Sequence, residues 1–315
     1  MAVYSTGLRD RFRNLDRRDG VLLRGPAGWG EFSPFWDYDD AESVPWLRAA
    51  VEAATLPFPD AVRSSVAVNA TVPAVSPERA YAIVADSGCA TVKVKVAQPG
   101  QSLADDLDRV AAVRDALGAG SIRVDANGAW SVEDAARALP ALDRAAGGLE
   151  YAEQPCASVA ELAAVRRAVS VPIAADESIR RAADPLAVVA ADAADVIVVK
   201  VQPLGGVRAC LTLAAQVGLP VVVSSALESS VGIAAGVALA AALPGQPRAA
   251  GLATVRLFVT DVTTSPLLPD AGALPVRRVT PDALHPAASD VDAAWRARLE
   301  RVAALARIDL AEVLQ

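Results

Sequence analysis

The sequence predicts an α/β fold: a modified, TIM-like (β/α) barrel carrying an α+β N-terminal capping domain that C-terminal residues complete. Three observations predict it. From about residue 89 to 255, short apolar runs alternate with Ala/Leu/Arg-rich stretches of helical periodicity, the pattern of a parallel sheet wrapped by helices. Five of those runs close on a charged residue at nearly constant intervals: Lys95, Asp125, Glu153, Asp176 and Lys200. The 315 residues also suit one barrel with an accessory layer, since such barrels take about 250 residues. The C-terminal ends of all barrel strands open into one mouth, so residues far apart in sequence can share a site.

The elements follow in order. Residues 1–88 read as the capping domain, with short strand candidates at Val21-Leu22-Leu23 and Ser65-Val66-Ala67-Val68 and a turn at Gly25-Pro26-Ala27-Gly28. Apolar spacing predicts one helix through Val44–Val51. Ser76-Pro77-Glu78 opens another, with proline at the first helical position. Residues 89–261 read as the barrel domain, with strands ending at Lys95, Asp125, Glu153, Asp176, Lys200 and Ser224. Helices are expected near 104–117, 131–144, 159–169, 185–190, 207–217 and 230–243. A seventh strand is expected to end in Gly251-Leu252-Ala253-Thr254, and an eighth to lie around Val255–Phe258. Beyond Asp261 the chain is Pro-rich and irregular, then helical from Asp290 to about Leu305, and 262–315 is expected to pack back on the capping domain.

Composition removes several classes of function. The balance of 30 basic against 37 acidic residues gives a net charge of −7 without basic clusters, which argues against nucleic acid or an anionic membrane as partner. No apolar stretch reaches the length of a membrane span, and the first residues lack a signal-peptide pattern; a cytoplasmic enzyme of small molecules is expected. The sequence leaves the oligomeric state open: a monomer is compatible with it, and so is an interface on the Ala-rich helices. Cys89, Cys156 and Cys210 have no metal-binding spacing and read as reduced structural thiols. One histidine, His285, lies in a polar tail. Histidine-based acid–base pairs, Ser–His nucleophiles and multi-histidine zinc sites are thereby excluded, and chemistry must rest on lysine and carboxylate.

Asp125, Glu153 and Asp176 end consecutive strands, so their carboxylates are expected to converge, and like charges that close repel unless a cation joins them. An all-oxygen set with open positions favours Mg²⁺, or Mn²⁺ in its place. A bland alternative is that each acid caps the next helix. Lys93 and Lys95 lie two apart on one strand and face the same side. Facing inward, two ammonium groups near each other and near a metal favour the neutral amine, a usable general base. Lys200 closes four β-branched residues from the far side of the barrel, with an ion pair to Asp176 or Glu177 as the bland alternative. A carboxylate-held metal facing lysines suits abstraction of a proton α to a carboxylate.

These residues resemble the enolase superfamily, in its muconate-lactonizing subgroup with a Lys-x-Lys motif, and most closely the o-succinylbenzoate synthase family. The resemblance is carried by Val92-Lys93-Val94-Lys95, Val124-Asp125-Ala126-Asn127-Gly128, Glu153-Gln154-Pro155, Ala175-Asp176-Glu177-Ser178 and Lys200-Val201-Gln202-Pro203, in the family's order, with Gly28-Trp29-Gly30-Glu31 similar to its capping segment. It implies that Asp125, Glu153 and Asp176 bind Mg²⁺, that Lys95 is the acid/base assisted by Lys93, and that Lys200 stabilises an enediolate. The implied reaction is a dehydration of 2-succinyl-6-hydroxy-2,4-cyclohexadiene-1-carboxylate for menaquinone synthesis. Asn127, Ser225 and Gly251 are the expected substrate contacts, and Arg208 is expected near the succinyl tail.

Two departures stand out. The N-terminal segment is short and basic, so the loop expected to close over substrate is reduced. Gly251-Leu252-Ala253-Thr254 lacks the paired acids with which dipeptide epimerases grip an ammonium group. N-succinylamino acid racemisation or dipeptide epimerisation, with Lys95 and Lys200 as opposed bases, is the alternative. A Schiff-base aldolase built on Lys200 leaves the three acids unexplained, and a non-catalytic barrel leaves the whole set so.

Overall fold

The computed structural model describes residues 1–182, 184–245 and 248–313. Strands β1 (Ala2–Phe12), β2 (Leu15–Gly25) and β3 (Gly28–Phe32) form an antiparallel sheet in that order. Arg13 and Asn14, with φ of 54° and 60°, make the two-residue turn between β1 and β2, consecutive left-handed residues being what a tight twisted hairpin requires. The segment that reads as a short basic tail is thus a full strand ending in a hairpin tip. Helix α1 (Val44–Thr55) covers the sheet. A Cβ on Gly30 would lie 1.9 Å from the Ala50 carbonyl oxygen, so only glycine lets β3 rest on this helix.

The next elements are β4 (Ser65–Ala67), β5 (Ala70–Val72) and α2 (Pro77–Ala85). Alternation then runs β6 (Thr91–Lys95), α3 (Leu103–Leu117), β7 (Ser121–Asp125), α4 (Val132–Ala146), β8 (Leu149–Glu153), α5 (Val159–Ala168) and β9 (Ile173–Ala175). It continues through the short helices α6 (Glu177–Arg180) and α7 (Ala187–Ala190), then β10 (Val196–Lys200), α8 (Val207–Val217), β11 (Val221–Ser224) and α9 (Ser230–Ala242). Ser76, Ser102, Ser131, Ser158 and Ser229 each accept a backbone N–H at a helix start, which is why serine precedes five of these helices.

Strands β5 to β11 lie side by side in sequence order in one parallel sheet. Its first stave, β5, lies upstream of the boundary expected at residue 89, while β4 pairs with β12 (Ala273–Pro275). The barrel closes through two residues: Gly251 bridges Ser224 of β11 and Ala250 bridges Val68, both in parallel sense. The strand expected around Val255–Phe258 is instead a 3₁₀ turn over Ala253–Leu257. Period-2 apolar runs cannot separate these alternatives over so few residues.

Two further helices, α10 (Ser289–Ala306) and α11 (Leu310–Val313), end the described chain; the expected return of 262–315 is described up to 313. Trp295 of α10 is fully buried edge-on to Phe32, in one apolar cluster with Val21, Trp46, Leu47 and Leu299. Tyr151, Ala174, Val196, Val198 and Val222 fill the barrel's interior. The charged residues stand on this floor, at the C-terminal ends of the strands. Among the described residues no helix is long and apolar enough to cross a membrane.

Candidate active site

Sheet register decides which charges meet. Lys93 lies opposite Arg123 and Lys95 opposite Asp125, while Asp125 lies opposite Glu153. Glu153 in turn pairs with Ala174, and Asp176 follows two residues later. On the far side Lys200 is level with Ser224, which bridges Gly251. Lys95 and Lys200 therefore stand on staves four apart, on opposite sides of the mouth.

Asp125, Glu153 and Asp176 are all buried, yet among the described residues they are not drawn into one metal-ligating group. Cationic side chains stand between them. Lys93 Nζ donates to both oxygens of Glu153 at 2.9 Å and lies 3.2 Å from Asp125. Lys95 Nζ donates to Asp125 at 2.5 Å and to Asn127 Oδ1 at 2.7 Å. Lys200 Nζ donates to Asp176 at 2.6 Å, and Arg180 Nε donates to its other oxygen at 3.1 Å. The expected convergence holds for the residues but not for a bare carboxylate triad. Asp176 stands at the start of α6 without capping it, so the capping alternative fails there. The ion pair of Lys200 with Asp176 is real, but it lies inside the mouth.

Burial alone would raise the Asp125 carboxyl, but Lys95 and Lys93 hold it far below the usual range. Burial likewise opposes ionisation of Asp176, and Arg180 and Lys200 bring it down to about 2. Burial, then the charge of Asp125, pushes Glu153 up. The two lysines of the shared strand diverge. Burial and the charge of Lys93 lower Lys95 despite its contact with Asp125. For Lys93 the carboxylates of Glu153 and Asp125 outweigh burial and raise it. The expected drift toward the neutral amine therefore has support in direction for Lys95 alone, because two acids, rather than its neighbouring lysine, face the Lys93 nitrogen.

The pocket above this layer is lined by Lys93, Lys95, Lys200, Asn127, Ser225 and Gly251, together with Phe12, Arg13, Phe35, Thr71, Arg180, Leu227 and Thr254. Asn127, at φ 48°, receives Lys95 and donates to Glu177 at 3.2 Å. Ser225 shares a hydroxyl contact of 2.8 Å with Thr254. A side chain on Gly251 would meet Ser224 Oγ at 2.5 Å, so glycine is needed for the seam to close. Arg208 does not come to the pocket; its guanidinium donates to the Pro57 carbonyl beside Glu52.

Several pocket residues were not singled out from sequence. The hairpin tip brings Phe12 to 5.4 Å from Lys95 Nζ and stacks Arg13 on Phe35 at 4.2 Å. Arg180 joins Asp176, Glu177 and the Tyr38 hydroxyl. Gln154 Oε1 accepts the backbone N–H of Asp176 and of Ser178, fixing the turn that carries Asp176. The motif Glu153-Gln154-Pro155 held that last clue.

Residues 76–281 match the family described as Enolase C-terminal domain-like, and residues 3–54 match Enolase N-terminal domain-like. The chain belongs to the enolase superfamily. It is 62% identical to the o-succinylbenzoate synthase of Thermobifida fusca (strain YX), over 94% of each chain. It is 57% identical to the o-succinylbenzoate synthase of Mycobacterium leprae (strain TN), over 89% of this chain and 83% of that one. Among solved structures, the L-Ala-D/L-Glu epimerase of Bacillus subtilis superposes with a TM-score of 0.75 at 23% identity, covering 91% of this chain and 98% of that one. The muconate lactonizing enzyme of Pseudomonas fluorescens does so with 0.75 at 20% identity, covering 93% and 97%. At those identities the superfamily's cap-and-barrel fold is what is shared.

Proposed function

We propose that this chain is an o-succinylbenzoate synthase, a carbon–oxygen lyase that dehydrates 2-succinyl-6-hydroxy-2,4-cyclohexadiene-1-carboxylate in menaquinone biosynthesis. The observation that carries it is the 62% identity to the Thermobifida fusca synthase over nearly the full length of both chains. Three free, buried cysteines suit a reducing cytoplasm.

Asp125, Glu153 and Asp176 would hold a divalent cation. The donor set fits: three buried oxygen donors ending adjacent strands, with Glu153 pushed up by burial and by its neighbours' negative charge. All-oxygen ligation favours Mg²⁺, with Mn²⁺ as substitute. When bound, the cation polarises the substrate carboxylate and so acidifies the adjacent carbon.

The protein's own groups do the rest. Lys95, its pKa lowered by burial and by Lys93, removes the α-proton with its neutral amine. The C–H electron pair moves first onto the carboxylate, whose two oxygens share the charge as an enediolate, and then returns into the ring as the new double bond while the C–O bond on the neighbouring carbon breaks. The same Lys95, now protonated and on the same face, returns its proton to the departing hydroxyl, which leaves as water. Lys200, on the opposite stave, holds its ammonium toward the charge developing on the carboxylate. Lys93 keeps Asp125 and Glu153 in place, and Asn127 holds the Lys95 nitrogen at 2.7 Å. Ser225 and Gly251 offer a small, close wall to the substrate.

The test is turnover of the cyclohexadiene carboxylate with Mg²⁺, beside racemisation of an N-succinylamino acid in the same preparation. Fast dehydration that EDTA abolishes, and that Lys95→Ala lowers by about 10³-fold or more, is the expected result. The opposed lysines also permit a racemase, and racemisation as fast as dehydration would replace this reading with a two-base one. No turnover of either substrate would refute it.

A further inference from the structure

One wall of the pocket is made by the loop between β11 and α9, through Ser225, Ala226 and Leu227. The loop ties itself by one bond, from the Ala226 N–H to Glu228 at 2.6 Å, which leaves the carbonyls of Ala226 and Leu227 to partners outside it. Leu227 has φ 64°, a left-handed conformation that costs a β-carbon-bearing residue about 1 kcal/mol or more and persists only where its surroundings impose it.

Ser225 is held by Gly251 and Thr254 of the barrel, whereas the partners of the next residues come from the capping domain. Arg18 of β2 donates from Nε to the Leu227 carbonyl at 2.9 Å, and from its terminal nitrogen to the Ala226 carbonyl at 3.3 Å and to Ser33. Glu31 of β3 takes the other end. Its Oε2 accepts the N–H of Ser229 at 3.1 Å, the Ser229 hydroxyl at 2.5 Å and the N–H of Gly232 at 3.0 Å. Its Oε1 is held by the hydroxyls of Tyr4 and Ser33, each at 2.8 Å. A carboxylate from one domain thus takes the free N–H groups at the start of a helix in the other, where negative charge is favoured. Both side chains are buried. A Cβ on Gly232 would stand 3.0 Å from Glu31 Oε2 and 2.6 Å from Glu228 Cβ, so glycine there permits the approach.

We propose that Glu31 and Arg18 are positioning residues through which the capping domain fixes the 224–229 loop as a wall of the substrate pocket. They touch no reacting atom. The lysines and acids stand on other staves, so disturbing this pair changes how substrate is held more than how fast it reacts. The kinetic part rests on the synthase reading above; the loop-holding part does not.

The experiment takes the full chain with Mg²⁺ and compares Glu31→Leu, Arg18→Met and the milder Glu31→Gln and Arg18→Lys. Amide exchange in 224–232 is expected to accelerate at least about tenfold in the first two. KM for the cyclohexadiene carboxylate is expected to rise about tenfold, with kcat within about threefold of wild type. The milder pair should recover most of both effects, because the Tyr4 and Ser33 hydroxyls can turn to accept from an amide. Should Glu31→Leu or Arg18→Met fail to fold, the milder pair carries the test with smaller shifts of the same sign. Unchanged loop exchange in folded variants overturns the proposal whatever the substrate. Faster exchange with unchanged KM reduces the pair to interface glue and overturns it as well. A wild type without turnover refutes the synthase reading instead, and the exchange data then decide the proposal alone.

Discussion

Lys93 shows how one side chain settles a site's charge. It spans Asp125 and Glu153, all three buried, and removing one partner of a buried ion pair costs about 3–5 kcal/mol. Lys93→Met should therefore lower the metal-free Tm. Millimolar Mg²⁺ should raise Tm more in the variant than in wild type, since a cation binding only the folded state stabilises it by mass action. If Mg²⁺ moves neither Tm, these carboxylates hold no metal. Glu228 offers a second residue-level test, at the domain interface. Burial, then the charge of Glu31, pushes it up to about 7, opposed by the Ala226 N–H and by Arg18. A folded pKa above the unfolded value means the native state binds more protons between about pH 4.5 and 7. This contribution to stability is complete below that window and is lost as pH rises through 7. Glu228→Gln keeps an acceptor for Ala226 N–H, so it should stabilise the protein at pH 8 by roughly 2–4 kcal/mol relative to wild type and flatten its urea midpoints from pH 5 to 8. The buried Glu31, also raised, leaves a residual slope of the same sign. A midpoint difference that does not grow with pH would refute this.

Among the elements, the seam at Ala250 and Gly251 is the least regular and the most exacting. Gly251→Ala would place a methyl group 2.5 Å from Ser224 Oγ and 3.2 Å from its Cβ. It should cost about 1–3 kcal/mol, as overpacking does, and raise KM because both residues line the pocket; urea unfolding and steady-state kinetics measure the two effects. An unchanged midpoint would mean that the seam yields freely. This seam also marks where the sequence stops being readable. Strands β6, β7, β8 and β10 are five-residue runs ending in a charge, so periodicity and the odd polar residue locate both the strand and its active end. Stave eight is two residues and β5 is three, too short for any period to register, and the run around Val255–Phe258 is apolar apart from Arg256 because a buried 3₁₀ turn is nearly as apolar as a strand. The lysines and acids were legible because charge closing an apolar run is rare. Arg180 was not: an arginine in a four-residue helix looks like solvent-facing polarity until α6 turns it onto Asp176. Phe12 and Arg13 were hidden for a similar reason, the hairpin tip reading as a basic tail.

At the scale of the whole molecule, the site depends on α10, a helix that supplies no residue to the pocket. Arg298 of α10 is 3% exposed and donates to the carbonyls of Phe35 at 3.0 Å and Tyr38 at 2.6 Å and to the Ser43 hydroxyl at 2.9 Å. It thereby holds the segment between β3 and α1 that presents Phe35 to the pocket and Tyr38 to Arg180. Arg180 in turn steadies Asp176. A path of hydrogen bonds, continued through the Tyr38 side chain, therefore runs from α10 through the cap to an acid of the barrel. Arg298→Met keeps the apolar stem but leaves buried carbonyls without donors, each worth about 1–3 kcal/mol. The variant should lose roughly 2–4 kcal/mol of stability. It should also bind Mg²⁺ several-fold more weakly, measured by titration calorimetry on protein held well below its Tm. Arg298→Lys, able to reach some of the same carbonyls, should fall between. Trp295→Ala separates the two consequences. It loosens the same helix by removing a fully buried ring packed on Phe32 and Trp36, at about 3–5 kcal/mol, without cutting the hydrogen-bonded chain. If Trp295→Ala weakens Mg²⁺ as much as Arg298→Met does, the coupling is general softening of the cap; if only Arg298→Met does, it runs through Tyr38 and Arg180 to Asp176.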